Sequence, residues 1–246
     1  MNSVDAKTLQ QLKNLAGFSA TSLKKLADNL SVKTAAKNEI IFDQGDDAKL
    51  VYLLLAGVAK LSHLSDQETQ TIVSLLPAGR FFGLDSLIPQ THYALRCEAF
   101  EDCAIGSIKP KTLIELFSGA SYETFLSGYV AVFHPARAAY IHCLRGIGVD
   151  VRRRLAMELL NLADRFGAVD PRGISITLNL SHELLASIVG ASRQRVTEYL
   201  NEFDRDRMIF RDGRRIIIAP EKLQKIFKVV ANTIKWTAVG DSDSAT

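Results

Sequence analysis

The chain has 246 residues, 47% of them hydrophobic, with a formal net charge of +3 at pH 7. That length allows two domains of ordinary size, each with its own core, and no run of eighteen apolar residues is present to cross a membrane as a helix. Residues 1–14 are polar and lack the apolar stretch of a signal peptide, and Cys97, Cys103 and Cys143 are too widely spaced for a zinc or cluster motif, so a soluble, cytoplasmic protein with reduced thiols is expected.

Helical spacing opens the chain, with Leu9, Leu12 and Leu15 and then Leu23, Leu26 and Leu30. From Glu39 to Ile108 the apolar runs are short and punctuated by Gly45, Gly57, Gly79 and Gly83. The runs are Ile40 to Phe42, Val51 to Leu55, Val58 to Leu61, Ile72 to Leu76, Ala94 to Phe100 and Ala104 to Ile108. Short strands at this spacing predict an antiparallel barrel or roll. Pro110 opens a short helix over 110–118. A long helix is predicted over about 122–145, because Phe125, Tyr129, Val132, Phe133, Ala136, Tyr140, Cys143 and Leu144 step by three and four. A second copy of the same helix is its natural partner, while packing onto its own roll is the alternative, and both hold if different faces are used. Pro135 predicts a kink or break inside it. Gly146 and Gly148 read as a flexible joint. A helix over 151–166 follows, with Leu155, Leu159, Leu162 and Phe166 on one face, then a loop over 167–173 and a short extended piece, Ile174 to Ile176.

Residues 180–203 carry most information. Ser181 is placed to cap a helix whose buried face is Leu184, Leu185 and Ile188. Gly190 suits a turn with positive φ. Ser192 is placed to cap a second helix with Val196, Leu200 and Phe203 inward, and two such helices joined by a glycine turn form a helix-turn-helix. Its outward residues, Arg193, Gln194, Thr197, Glu198 and Asn201, are types that hydrogen-bond base edges. Asp212-Gly213 between the β-rich runs Met208 to Arg211 and Arg214 to Ile218 predicts a hairpin, here a wing. Arg207, Arg211, Arg214 and Arg215 on or beside it are candidates for phosphate contacts, together with Ser181, His182 and Ser192 at the helix starts. Charge agrees. Residues 1–150 hold 14 Lys+Arg against 15 Asp+Glu, whereas 151–230 hold 15 against 10, and twelve of those cations are arginines, which suit bidentate contact with phosphate and guanine.

Four stretches give the chain a family resemblance over about residues 20–230. They are Gln44-Gly45-Asp46 with Tyr52 to Gly57, then Pro77 to Gly83, then Asp150 to Asp164, and then Leu180 to Leu200 with Ile188-Val189-Gly190-Ala191-Ser192-Arg193. They resemble the CRP/FNR family of transcription regulators. The resemblance implies an α+β fold in four parts. Residues 1–121 form N-terminal helices and a jelly-roll-like antiparallel β-roll for an effector. Residues 122–147 form a dimerisation helix and hinge, and residues 148–230 a winged helix-turn-helix. Residues 231–246 are a tail expected to be disordered for want of apolar content. It also implies a homodimer on near-palindromic double-stranded DNA, with a small-molecule effector and RNA polymerase as further partners. Carried onto this sequence, Phe82, Gly83, Leu84, Asp85, Tyr93, Ala94 and Tyr140 would line the effector pocket, and Tyr129, Phe133, Ala136 and Tyr140 the dimer seam.

The sequence also departs from the family. The cyclic AMP branch uses a Gly-Glu pair and later an Arg-Ser pair, the Glu for the ribose hydroxyl and the Arg for the cyclic phosphate. Here Leu84 follows Gly83 and Tyr93-Ala94 falls where Arg-Ser is expected, so cyclic AMP is not expected to bind in that way. No cysteine precedes Cys97, so the N-terminal iron–sulfur sensor of the fumarate-nitrate branch is not expected. Haem remains an option, with His92, His134, His142, Cys97 and Met157 as conceivable axial ligands, although surface or packing roles are the simpler alternative for each. In the recognition helix Arg193 is kept, but Gln194 and Glu198 stand where the family often has Glu and Arg, so the common half-site is not expected. A regulator controlled by abundance or a partner protein, without a ligand, is the main alternative. No motif supports an enzyme, and a channel or kinase module would need segments that this sequence lacks.

Overall fold

The computed structural model describes residues 3–15, 17–66, 69–118, 122, 125–133, 146, 148–213 and 215–227. They fall into two compact units, Met1–Gly148 and Val149–Thr246.

The first unit opens with helices α1 (Ala6–Gln10) and α2 (Ala20–Asn29), whose N-termini are capped by the side chains of Asp5 and Ser19. Eight strands follow: β1 (Ser31–Ala35), β2 (Ile40–Phe42), β3 (Val51–Ala56), β4 (Val58–Leu64), β5 (Gln70–Pro77), β6 (Phe81–Phe82), β7 (Arg96–Ala99) and β8 (Cys103–Ile108). They form two antiparallel sheets of order β1-β8-β3-β6 and β2-β7-β4-β5. Strand β3 is buried on both faces because its side chains alternate between two cores. Tyr52 and Leu54 join Phe42, Phe82, Tyr93, Cys97 and Ile105 in the core between the sheets. Val51 and Leu53 join the helices in a second core with Leu9, Leu15, Phe18, Leu23 and Leu26.

Helix α3 (Pro110–Ser118) starts at the expected proline, and residues 125–133 are helical (α4). Ala131 and Val132 of α4 are buried in the second core, and Ser127 Oγ donates to the Gly17 carbonyl at 2.9 Å. Most of the rest of α4 is apolar and open, Gly128 being buried against Phe117. Phe125, Leu126, Tyr129, Val130 and Phe133 are exposed, and the rings of Tyr129 and Phe133 stack at 5.0 Å. One face of α4 is therefore spent on its own roll and the other is not. Pro135, Ala136 and Tyr140 lie outside the described residues.

The second unit is built on α5 (Val151–Phe166), α6 (His182–Val189) and α7 (Arg193–Arg205). Against them lies a four-stranded sheet, β11-β12-β10-β9, with β9 (Gly167–Asp170), β10 (Gly173–Ile176), β11 (Ile209–Asp212) and β12 (Arg215–Ile218). Short α8 (Pro220–Gln224) closes the described chain with a 3-10 turn, Lys225–Phe227. Leu155, Leu159, Leu162, Leu185, Val196, Leu200, Phe203, Ile209 and Ile218 are all fully buried and make its core.

Three strands go beyond the sequence reading. The expected loop over 167–173 is the first strand and turn of a hairpin, β9 with β10. Strands β1 and β6 escaped it because neither carries an apolar alternation. Only Ala35 of β1 is buried, β6 is two phenylalanines long, and each is defined by its pairing partner.

Two left-handed glycines separate backbone strain from crowding. Gly190 has φ 63° with open space where a Cβ would sit, whereas at Gly83, φ 70°, a Cβ would lie 2.9 Å from Tyr52 Cδ2 and 3.1 Å from the Leu50 carbonyl oxygen. Gly190→Ala should therefore cost its unit about 1–2 kcal/mol, and Gly83→Ala about 2–5 kcal/mol once overpacking is added. Denaturant midpoints of the two variants check the order.

Candidate nucleic-acid interface

The helix-turn-helix is assembled by local rules. Ser181 Oγ accepts the Leu184 N–H at 3.0 Å and Ser192 Oγ accepts the Arg195 N–H at 3.3 Å, so both expected caps are formed. Gly190 ends α6 in the left-handed conformation, and its N–H returns to the Ala186 carbonyl. The inward face of α7 is Val196, Leu200 and Phe203, as the spacing predicts. In α6 the buried face is turned by about one residue from the expected one. Leu185, Ala186 and Val189 are buried, while Leu184 and Ile188 are half-buried.

Arg193, Gln194, Glu198 and Asn201 are exposed together on α7, and Thr197 is half-buried beside them. They form a connected polar surface. Gln194 Nε2 donates to Glu198 Oε1 at 3.3 Å, and Arg195 Nη1 lies 3.9 Å from Glu198 Oε2. Thr197 Oγ1 donates to the Arg193 carbonyl at 2.9 Å and lies 2.8 Å from His182 Nδ1 on α6. Arg193 Nε lies 2.8 Å from Glu183 Oε1, also on α6. A bond from its own backbone N–H, and then the charge of Arg193, hold the Glu183 carboxyl below its ordinary value, so it is ionised at neutral pH.

The wing is β11 and β12, turned at Gly213 with φ 61°. Arg211 donates from Nε and Nη2 to Asp204 Oδ2 at 2.9 and 2.8 Å, which ties the wing to the last turn of α7. Arg215 is exposed, and Arg214 lies outside the described residues. Between the start of α6 and the wing runs a cleft of about 390 Å³, lined by Asn179, Leu180, Ser181, His182, Arg211, Gly213, Arg215 and Ile216. The α6 N-terminus with its dipole and the guanidinium groups of Arg215 and of Arg211, the latter held by Asp204, meet in one concavity, an arrangement that suits a phosphate. The cleft brings together Ser181, His182, Arg211 and Arg215 of the expected backbone set, and Ser192 is not part of its lining.

Other arginines of this segment serve the interior. Arg152 Nε donates to Glu202 Oε1 at 2.7 Å, and its guanidinium lies over the Phe203 ring, 5.5 Å from the centroid. Arg154 reaches the carbonyls of Val149 and Gly190 at 3.4 and 3.5 Å. Arg152–Glu202 and Arg154–Gly190, like Arg193–Glu183 and Arg211–Asp204, join different secondary-structure elements and had no signal in spacing or composition.

In the roll, Phe82 and Tyr93 belong to an aromatic stack. Ring centroids are 3.9 Å apart for Phe42–Tyr93, 5.4 Å for Phe42–Tyr52 and 5.2 Å for Tyr52–Phe82. The Tyr93 hydroxyl donates to the Leu50 carbonyl at 2.8 Å and accepts the Leu50 N–H at 3.2 Å. Burial pushes the Tyr52 phenol well up from its ordinary value. Gly83 sits against Tyr52 and Tyr93, Leu84 packs on the helical core, Asp85 is half-exposed and Ala94 is at the surface. Arg96 grips both oxygens of Asp43, Nε to Oδ1 at 2.8 Å and Nη2 to Oδ2 at 2.7 Å. Of the haem ligand candidates, His92 is exposed beside Asp47, Cys97 is buried, which raises its thiol, and Met157 is half-buried in α5. Tyr140, His134 and His142 lie outside the described residues, and among the described residues no three His, Cys, Asp or Glu are grouped to hold a metal.

Two family models match the chain, a cyclic nucleotide-binding domain over residues 32–119 and a Crp-like helix-turn-helix domain over residues 153–226. Among curated relatives, the chain is 29% identical over 196 residues to the global nitrogen regulator of Synechococcus elongatus, covering 77% of this chain and 86% of that one. It is 26% identical over 189 residues to the transcriptional regulator LdrP of Thermus thermophilus, covering 76% and 91%. Among solved structures, a CooA variant from Carboxydothermus hydrogenoformans superposes with a TM-score of 0.69 at 22% identity, covering 87% of this chain and 94% of that one. The c-di-GMP responsive global regulator CLP of Xanthomonas campestris gives 0.67 at 18%, covering 81% and 99%, and so shares the fold. With a β-roll in the first unit and a capped, arginine-flanked helix-turn-helix in the second, each matched by its own family model, the chain belongs to the CRP/FNR family of transcription regulators.

Proposed function

We propose that this regulator reads a specific, near-palindromic DNA site as a homodimer, with one copy of α7 per half-site, in the cytoplasm and in concert with RNA polymerase. The observation that carries the reading is the α7 surface itself. Arg193, Gln194 and Glu198 are base-reading types, they are exposed together, and the cleft lined by Arg211 and Arg215 at the wing flanks the same helix-turn-helix. Arg193 takes a guanine, while Arg215 and the α6 N-terminus take backbone phosphates. The open apolar face of α4 supports the homodimer, since a stripe of large apolar side chains on one helix is best covered by its symmetry mate.

For the signal, the roll interior favours a mode that is not cyclic AMP. Phe82 and Tyr93 fill it with the aromatic stack, and Arg96 is already paired with Asp43 rather than left for a cyclic phosphate. Control by abundance, by a partner protein or by a different effector fits this interior better. Selection from a random DNA pool with ligand-free protein, across a salt series, tests the whole reading. An enriched palindrome supports a ligand-free regulator. Weak, salt-sensitive binding without a motif would require an effector, and a pool still random with every effector tried would refute the reading.

Arg193→Ala should cost about 1–3 kcal/mol and relax one base position, whereas Arg215→Ala should weaken all sequences alike; equal profiles for the two would overturn their roles. Phe133→Asp should shift the sedimentation coefficient from dimer to monomer. Titration of cyclic AMP in a calorimeter should give no saturable heat, and micromolar binding would contradict the account of the roll.

A further inference from the structure

Resting on the reading of Arg193 just given, we infer that Glu183, outside the base-reading helix, is a specificity-determining positioning residue that sets how Arg193 meets its base. Arg193 is the first residue of α7 and its side chain is 69% exposed, so nothing in the core orients it. Among the described residues the charge that grips it is Glu183, whose Oε1 lies 2.8 Å from Nε. A guanidinium can present two parallel N–H groups to guanine O6 and N7 either by its Nε–Nη side or by its Nη1–Nη2 end. With Nε held by Glu183, the end-on edge is the one left open. Glu183 is itself held in the first turn of α6, where the helix N-terminus favours its charge.

The carboxylate has a second consequence. It is 61% exposed in the first turn of α6, one residue beyond the cleft-lining His182, and a negative charge there repels the DNA backbone. Glu183 thus acts against sequence-independent affinity and in favour of base discrimination. A simple staple between α6 and α7 would not do this, and an ion pair exposed on both sides contributes little to stability.

The test is a double-mutant cycle on the full chain with Glu183→Gln, Arg193→Ala and the double variant. Affinities are measured for the selected site, for the four bases at the position that Arg193→Ala relaxes, and for a random duplex. Glu183→Gln should lose roughly tenfold of the preference at that one position. It should keep the other positions, bind random duplex several-fold more tightly, and add no loss of preference to Arg193→Ala. The inference is overturned if Glu183→Gln keeps the preference, weakens every sequence alike, or acts equally in the Arg193→Ala background. If Arg193→Ala itself relaxes no position, the base-reading role of Arg193 fails first, which the cycle reports separately.

Discussion

The whole outward surface of α7 depends on three side chains that solvent does not reach. Val196, Leu200 and Phe203 are fully buried along the inner face of α7, each contributing about 1.5–3 kcal/mol by burial. Because they fix the rotation of α7 about its own axis, they decide which residues face outward. A helix turned by one residue, as α6 is relative to the simplest reading of its pattern, would present a different set. Arg152 reinforces the seat from α5 by pairing with Glu202 and covering the Phe203 ring. The arginine-rich character of the segment is therefore partly interior work and only partly a DNA footprint.

The surface that results is electrostatically mixed. Arg193 faces Glu183, Arg211 faces Asp204, and Glu198 takes both Gln194 and Arg195. Exposed pairs of this kind add little to stability, but they restrict long side chains before any ligand arrives. A helix surface of free arginines would bind any phosphate backbone; one with paired arginines demands a partner that outcompetes the carboxylates. Discrimination by such a surface comes from what is withheld as much as from what is offered.

The first unit shows the same economy in apolar terms. Strand β3 serves two cores by alternation, and α4 serves one core with Ala131 and Val132 while leaving Tyr129 and Phe133 open. The residues around Gly83 are held by the aromatic stack and by the Tyr93 hydroxyl on the Leu50 backbone, so the glycine is there because Tyr52 leaves no room for a side chain. Within this region the Phe82 and Tyr93 rings pack into the core between the sheets.

Much was legible in the sequence because it follows from local rules. The caps Ser181 and Ser192, the turn at Gly190, the inward triad of α7, the Asp212-Gly213 hairpin and the two-strand-period runs of the roll are each set by neighbours a few residues apart. The two faces of α4 were legible as a pattern. What only the tertiary structure decided depends on how one element meets another. These are the pairings that make β1 and β6 strands, the exact rotation of α6, and the partners Glu183 for Arg193, Asp204 for Arg211 and Asp43 for Arg96. Periodicity tells which side of an element is apolar, because that repeats along the chain. It cannot tell which charge on one element meets which on another, because that depends on how whole elements pack.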